Sequence, residues 1–299
     1  MTKNMPSEQQ ILNLIRRMIP KSEKYLHDDA AIIEKNLIVT TDTLVENTHF
    51  TLKNYTPEEI GWKALAVNLS DIAAMGGKPL YALVSLSLPK NTKIKWIQDL
   101  YKGILSCAKK YKTQIVGGNL TRSKEINITI TIIGKVGAGL APAQRSNAKP
   151  GDFVFVTGTF GNALKKPIPQ IALGQKIIGA CFPPEAGPPL AEKHAPALMD
   201  SSDGLADCLI QIANESRVKI LINEDKIPIF KKGSTRLALY GGEDYQLVGT
   251  VSKNDWEKLK KIKQIKIIGE VQKGNGAYLK QNNGRLVKLD MKKAFNHFS

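Results

Sequence analysis

The stretch that most constrains the fold of this chain is GWKALAVNLSDIAAMGG, residues 61–77. Thr56 and Glu59 form a Thr-x-x-Glu capping box ahead of it, Pro57 takes the first helical position, and Gly76-Gly77 ends the run. The spacing predicts one helix from Thr56 to Met75. Its Ala-rich body calls for close packing, and Asp71 sits within that body, where a lone charge is costly unless it is paired or bound to a metal.

Other elements are read around this helix. Ser7 and Gln10 form a second capping box before the apolar pattern Ile11, Leu12, Leu14, Ile15, Met18, an amphipathic helix that ends at Pro20. Residues 30–45 read as a β-hairpin turning at Glu34-Lys35-Asn36. Strands at 81–88, 114–116 and 126–136, with a Lys-studded helix at 93–111, complete a first half. The segment 137–151 is rich in Gly, Ala and Pro without a clear period, which places a boundary there and gives units 1–140 and 141–299. The second half repeats the mixture, with strands at 153–157, 218–222, 245–251 and 265–271 and helices near 171–180, 205–215 and 253–262. Hairpins mixed with long helices, without strict βαβ alternation, point to two α+β domains.

Composition excludes several classes of protein. At 42% hydrophobic residues, 299 residues suffice for one large or two ordinary globular domains. MTKNMPSEQQ has no apolar leader core, and no run approaches a membrane span, so a soluble cytoplasmic protein is expected. Cys107, Cys181 and Cys208 are too scattered for a disulfide framework or a Cys-x-x-Cys metal site and read as small buried residues. The net charge of +16 invites a nucleic-acid partner, but only 7 of the 43 basic residues are Arg and no aromatic platforms interleave them. Solvated lysine faces that attract small polyanions are the expectation, with no nucleic acid bound.

The familiar phosphate loops and the kinase catalytic loop are missing. Acidic clusters recur instead at element ends: Asp28-Asp29, Thr40-Thr41-Asp42, Asn68 with Ser70-Asp71, and Asp200-Ser201-Ser202-Asp203-Gly204. Asp42 is placed at the end of an apolar strand, where it meets an opening. Taken singly, Asp200 and Asp203 could each be helix caps. Several Asp converging on one cleft would suit several Mg²⁺ ions around a nucleotide.

The segments HDDAAII, TTDTLVENTHF, GWKALAVNLSDIAAMGGKP, VGGNLTRS, RSNAKPGDFVFVTG, DSSDGLAD and GGEDYQL, in this order, resemble the serial motifs of the thiamine-monophosphate kinases in the aminoimidazole-ribotide-synthetase-like superfamily. The resemblance spans residues 27–250. It implies a two-domain α+β fold of mixed and antiparallel sheets with flanking helices. The N-terminal domain would build a homodimer, and the C-terminal one would close over the nucleotide. It implies transfer of the γ-phosphoryl group of ATP to thiamine monophosphate. Carried over by position, it makes Asp29, Thr40, Thr41, Asp42, Asp71, Asp200 and Asp203 magnesium-site residues. Gly118, Asn119, Arg145 and Ser202 would contact ATP, and His49, Glu243 and Phe295 the acceptor. Asp42, Asp71 and Arg145 would carry the catalysis. The acceptor phosphate is already ionised, so such a site needs cations rather than a general base.

Three features depart from the family pattern. Asn119 stands where the family has a metal-binding Asp, and His27 stands where it has Gly; in the second half only a short stretch separates Gly158-Thr159-Phe160-Gly161 from Pro167-Ile168-Pro169, where the family has a helix, and a Pro-rich stretch with Pro183-Pro184, Pro188-Pro189 and Pro196 precedes Asp200. Selenophosphate synthetase chemistry would need a reactive Cys near the N-terminus, whereas the first here is Cys107. Other ATP-using relatives of the superfamily, and a nucleotide-binding homologue with weakened catalysis, stay open on sequence grounds.

Overall fold

The structure is a computed structural model that describes residues 8–19, 26–34, 36–137, 140–181 and 195–294. After helix α1 (Glu8–Met18), strands β1 (Ala31–Glu34) and β2 (Leu37–Val45) form the expected hairpin. Helix α2 (Pro57–Ala74) follows, then β3 (Lys78–Leu88), α3 (Ile94–Tyr111), β4 (Gln114–Arg122) and β5 (Asn127–Lys135). These strands make a mixed five-stranded sheet in the order β1-β2-β5-β3-β4. The capping box on α2 is formed as read: Glu59 N–H donates to Thr56 Oγ1, and the Glu59 carboxylate accepts from Thr56 N–H. Such a cap contributes about 1 kcal/mol. Ser7, the cap residue expected for α1, lies outside the described residues.

Helix α2 is the axis of the molecule. It packs on the five-stranded sheet and on α3, and it touches elements of the second half as well. The crossing with α3 is backbone on backbone: a Cβ on Gly61 would lie 2.0 Å from the Leu100 carbonyl oxygen, and one on Gly103 2.0 Å from that of Glu58. Close approach of this kind leaves α2 buried on every side from Ile60 to Ala74, apart from the part-exposed Trp62 and Asp71.

The second half contains β6 (Phe153–Thr157), α4 (Ile171–Cys181), β7 (Leu198–Asp200), α5 (Leu205–Ser216), β8 (Lys219–Asn223), α6 (Thr235–Tyr240), β9 (Leu247–Val251), α7 (Lys253–Leu259), β10 (Ile265–Gln272), β11 (Gly276–Lys280) and β12 (Leu286–Lys288). Its seven strands order as β12-β11-β8-β10-β6-β9-β7, with β8 and β11 parallel. At its centre this sheet is covered on both faces. Val154, Val156 and Val248 pack with α5 on one side, while Phe155, Leu247 and Val251 pack with α4 on the other. The five-stranded sheet is covered on one face only, and its other face exposes Thr41, Thr43, Tyr81 and Leu83.

The fold is α+β, as expected. Strand β4 differs from its reading, since it continues through Gly117-Gly118 to Arg122. Pairing with β3 from Tyr81↔Gln114 to Leu88↔Arg122 overrides the weak strand propensity of the glycines. The three cysteines are buried free thiols, and burial pushes Cys107 and Cys181 up to about 12.

Candidate active site

Pairing of β1 with β2 begins at Ala31, opposite Val39, so Thr40 to Leu44 have no β1 neighbour. A cleft of about 530 Å³ opens there, between the two sheets. Asp42 is not at a strand end, as the sequence suggests, but in the middle of β2, which keeps pairing with β5 as far as Val45↔Asn127. The opening comes from the shortness of β1. Asp42 N–H donates to Asn68 Oδ1 of α2 at 2.9 Å.

Four places in the chain bring aspartates to this cleft: the turn before β1 (Asp28, Asp29), β2 (Asp42), the C-terminal part of α2 (Asp71), and the end of β7 with the turn before α5 (Asp200, Asp203). One carboxylate oxygen from each of Asp29, Asp71 and Asp200 lies within 4.8 Å of the others. Burial, then repulsion from Asp42, Asp200 and Asp29, raises Asp71 well above the ordinary carboxylate value. Burial and Asp29 do the same to Asp200, and burial with Asp203 and Asp29 lifts Asp42 to about 6. The Thr40 hydroxyl donates to Asp71 Oδ2, and Asp29 Oδ2 is buried with no hydrogen-bond partner among the described residues. Helix α5 starts after Gly204, which makes no side-chain cap, so neither Asp200 nor Asp203 serves as its cap.

Arg145 is the one Lys or Arg among the residues lining the cleft. Its Nη2 pairs with Asp29 Oδ1 at 2.6 Å, its Nη1 donates to Gln211 Oε1, and its backbone N–H donates to Asp28 Oδ1 at 2.7 Å. Burial works against the guanidinium charge, but the Asp29 pair more than offsets it and the pKa rises. At the other end of the cleft, His49 Nδ1 accepts from Val45 N–H at 3.0 Å, which places the proton of the neutral ring on Nε2. Glu243 lines the same end and pairs at 2.5 Å with Lys63 of α2.

Comparisons with known proteins identify the family. Residues 27–136 match the AIR synthase related protein, N-terminal domain, and residues 149–281 match its C-terminal domain. A thiamine-monophosphate kinase of Pyrococcus horikoshii is 38% identical over 304 residues, covering 95% of this chain and 93% of its own. One of Aquifex aeolicus is 34% identical over 294 residues, covering 90% and 92%. The chain belongs to the thiamine-monophosphate kinase family. A solved structure described as AaThiL complexed with AMPPCP and TMP matches with a TM-score of 0.82 at 30% identity, covering 99% of this chain and all of that one.

The residues that the family resemblance marks divide into three groups. Asp29, Thr40, Thr41, Asp42, Asp71, Arg145, Asp200, Ser202, Asp203, His49 and Glu243 all line the one cleft. Gly118 and Asn119 do not. They lie on edge strand β4, where the register Asp42↔Ile130↔Val84↔Gly118 puts them three strands from Asp42, roughly 14 Å away. Gly118 also has a structural reason to be glycine, since a Cβ there would lie 1.7 Å from the Val84 carbonyl oxygen. Phe295 lies outside the described residues. Thr41 turns its side chain away from the acids, donating to the Ile130 carbonyl, so its contribution to the cleft is main-chain.

Sequence reasoning missed Lys63, Gln211 and Asp207. Gln211 links Arg145 to Asp207, whose carboxyl is raised to about 7 by burial and by Asp203. The signal for Lys63 was present: it is a second lone charge in the same apolar helix as Asp71.

Proposed function

We propose that this family member transfers the γ-phosphoryl group of ATP to a phosphate oxygen of thiamine monophosphate, giving thiamine diphosphate and ADP. The observation that carries this reading is the convergence of Asp29, Asp42, Asp71, Asp200 and Asp203 on one cleft that also holds a single guanidinium. An all-oxygen donor set with an unpartnered buried carboxylate oxygen fits Mg²⁺. Asp29, Asp42, Asp71, Asp200 and Asp203, with oxygens of Thr40 and Thr41, would hold it. When bound, Mg²⁺ neutralises phosphate charge and polarises the transferring group.

The chain's own groups do the rest. Arg145 is fixed by Asp29 and Gln211, so its guanidinium meets phosphate without reorganising. Ser202 holds the nucleotide beside it, while His49 Nε2–H and Glu243 orient the acceptor, with Phe295 contributing from the C-terminal segment. The acceptor oxygen attacks the γ-phosphorus as the bond to the β-bridging oxygen breaks. No proton has to be removed, and no protein nucleophile takes part.

The chain works as a homodimer in this reading. The uncovered face of the five-stranded sheet exposes Tyr81 and Leu83, and edge strand β4 exposes Val116 and Leu120, apolar side chains that a partner seated on this sheet would bury. A partner seated there would be the route by which Gly118 and Asn119 reach a nucleotide. Three buried thiols suit the cytoplasm, and no helix among the described residues is long and apolar enough to cross a membrane. The test is a purified-protein assay with ATP, Mg²⁺ and thiamine monophosphate, read for thiamine diphosphate. γ-Labelled ATP should leave no label on the denatured protein. A second reading, a nucleotide-binding homologue with weakened catalysis, rests on the neutral Asn119 and predicts ATP binding without product.

A further inference from the structure

Lys63 belongs to the seventh position of α2, and its side chain is completely enclosed. Its ammonium donates to the His49 carbonyl at 2.8 Å and to Glu243 Oε1 at 2.5 Å, and it lies 5.2 Å from the centre of the Tyr55 ring. One buried cation thus ties together the two described residues that the family resemblance marks for the acceptor, both of which line the cleft. Its partners come from a turn after β2 and from a loop 180 residues away in sequence.

That loop is held tightly everywhere except at the Glu243 side chain. Glu243 and Tyr245 adopt left-handed backbone angles, φ 57° and 50°, which side-chain-bearing residues adopt at a cost in strain. The backbone is clamped in this shape: Glu243 N–H donates to the Ser202 carbonyl at 2.6 Å, Tyr245 N–H to that of Ser201 at 3.0 Å, and the Asp244 carboxylate accepts from Gly161 and Asn162 at 2.9 Å each. Ser201 and Ser202 follow directly on Asp200, so the loop is indexed to the acidic cluster. What remains to be fixed is the direction of the Glu243 carboxylate, and Lys63 is the group that holds it.

We propose that Lys63 is the positioning residue of the acceptor site. By engaging Oε1 it presents the other carboxylate oxygen of Glu243 to the cationic, amine-bearing heteroaromatic portion of the acceptor, at a set distance from the phosphate-transfer centre. This rests on the reading of Glu243 as an acceptor-binding residue. Lys63 is fully enclosed and does not line the cleft, so the effect is on acceptor capture rather than on the nucleotide.

The test is a double-mutant cycle in the full-length enzyme with Lys63→Met, Glu243→Ala and the pair, measuring KM for ATP and for thiamine monophosphate separately. Lys63→Met should raise the acceptor KM at least about tenfold and leave the ATP KM within about twofold, which also shows that the variant is folded. In the Glu243→Ala background, Lys63→Met should add less than about twofold, because there is no carboxylate left to direct. Lys63→Gln, which keeps an N–H donor, and Glu243→Gln replace any variant that does not fold, with a smaller rise expected that is still confined to the acceptor KM. Additive effects, or equal rises in both KM values, overturn the positioning role. A raised acceptor KM in the Glu243 variant beside an unchanged one in Lys63→Met overturns it while sparing the acceptor site. An unchanged acceptor KM in the Glu243 variant removes Glu243 from that site, and the proposal falls with it.

Discussion

Helix α2 carries two charges within its apolar body, the enclosed Lys63 and the part-exposed Asp71, eight residues and about 12 Å apart along its axis, and the protein treats them in opposite ways. Lys63 is matched inside the chain, one ammonium to one carboxylate, with a carbonyl and a ring completing its surroundings. Asp71 is surrounded by its own kind: its neighbours are Asp29, Asp42 and Asp200, and the nearest compensation is the Thr40 hydroxyl. A chain that solves one buried charge and leaves the next unsolved has reserved the second for something it does not itself supply. The matched end is the one proposed to set geometry, and the mismatched end the one proposed to receive cations.

The largest effect expected from this difference is on turnover. Asp71→Ala and Asp42→Ala should each lower kcat by roughly 10³-fold or more with ATP and Mg²⁺ saturating, because in the proposed reading each removes a cation ligand from a site whose catalysis is electrostatic. Asp71→Asn should do the same to turnover while raising the melting temperature of the metal-free protein by about 2–4 °C, since it removes one of several crowded like charges and keeps an acceptor for Thr40. Scanning calorimetry without metal checks this. A lower melting temperature would make Asp71 a structural residue and erase the contrast with Lys63.

The matched end predicts an asymmetry in stability. Glu243→Ala leaves an ammonium with 0% exposure unpaired and should cost about 3 kcal/mol. Lys63→Met leaves a carboxylate that is 32% exposed, which water can reach, and should cost only about 1 kcal/mol. Urea midpoints for the two variants decide this. The reverse order would show that the pair is not held as described.

The two ends were also unequally legible in the sequence. Asp71 stood out because a short carboxylate cannot leave an Ala-rich helix surface to find water. The same argument applied to Lys63, but a long aliphatic stem can carry its charge outward, and nothing local announces a partner at position 243. The capping box, the Ala-rich body of α2 and the β1–β2 turn were readable because they are local. Strand β7 has three residues and β12 has three, too few to show a period, and α6 spans six. The cleft's opening at β2 was not readable, because it depends on where β1 stops pairing.

A smaller effect separates the ends by pH. Asp42 titrates at about 6 against an ordinary 3.8, so in the folded, metal-free protein it keeps a proton that the unfolded chain has lost between those values. Its contribution to stability is therefore largest below about pH 4 and declines as pH rises through about 6, where the folded state carries the unmatched charge. Cation binding requires the ionised form. The rise in melting temperature on adding Mg²⁺ should be several degrees at pH 7.5 and near zero at pH 5, measured at constant ionic strength. A shift of equal size at both pH values would place the cation elsewhere.

The smallest expected change is at Asn119, which belongs to neither end of α2 within one chain. It is exposed on edge strand β4, opposite Ser85 and three strands from Asp42. Acting through its own cleft, a new carboxylate at that distance would be screened by solvent to almost nothing. Acting through a partner's cleft, across the uncovered sheet face, it would add a charged oxygen to a site for hard cations. Asn119→Asp should therefore lower the Mg²⁺ concentration for half-maximal rate by about two- to threefold, and only while the protein is dimeric. Initial rates titrated with Mg²⁺ above and below the dimer dissociation concentration, for both proteins, provide the measurement. An unchanged curve at all protein concentrations means that this side chain touches no catalytically important cation in either copy. A raised midpoint means that the acidic cluster has adapted to a neutral residue, so that one more charge repels instead of binding.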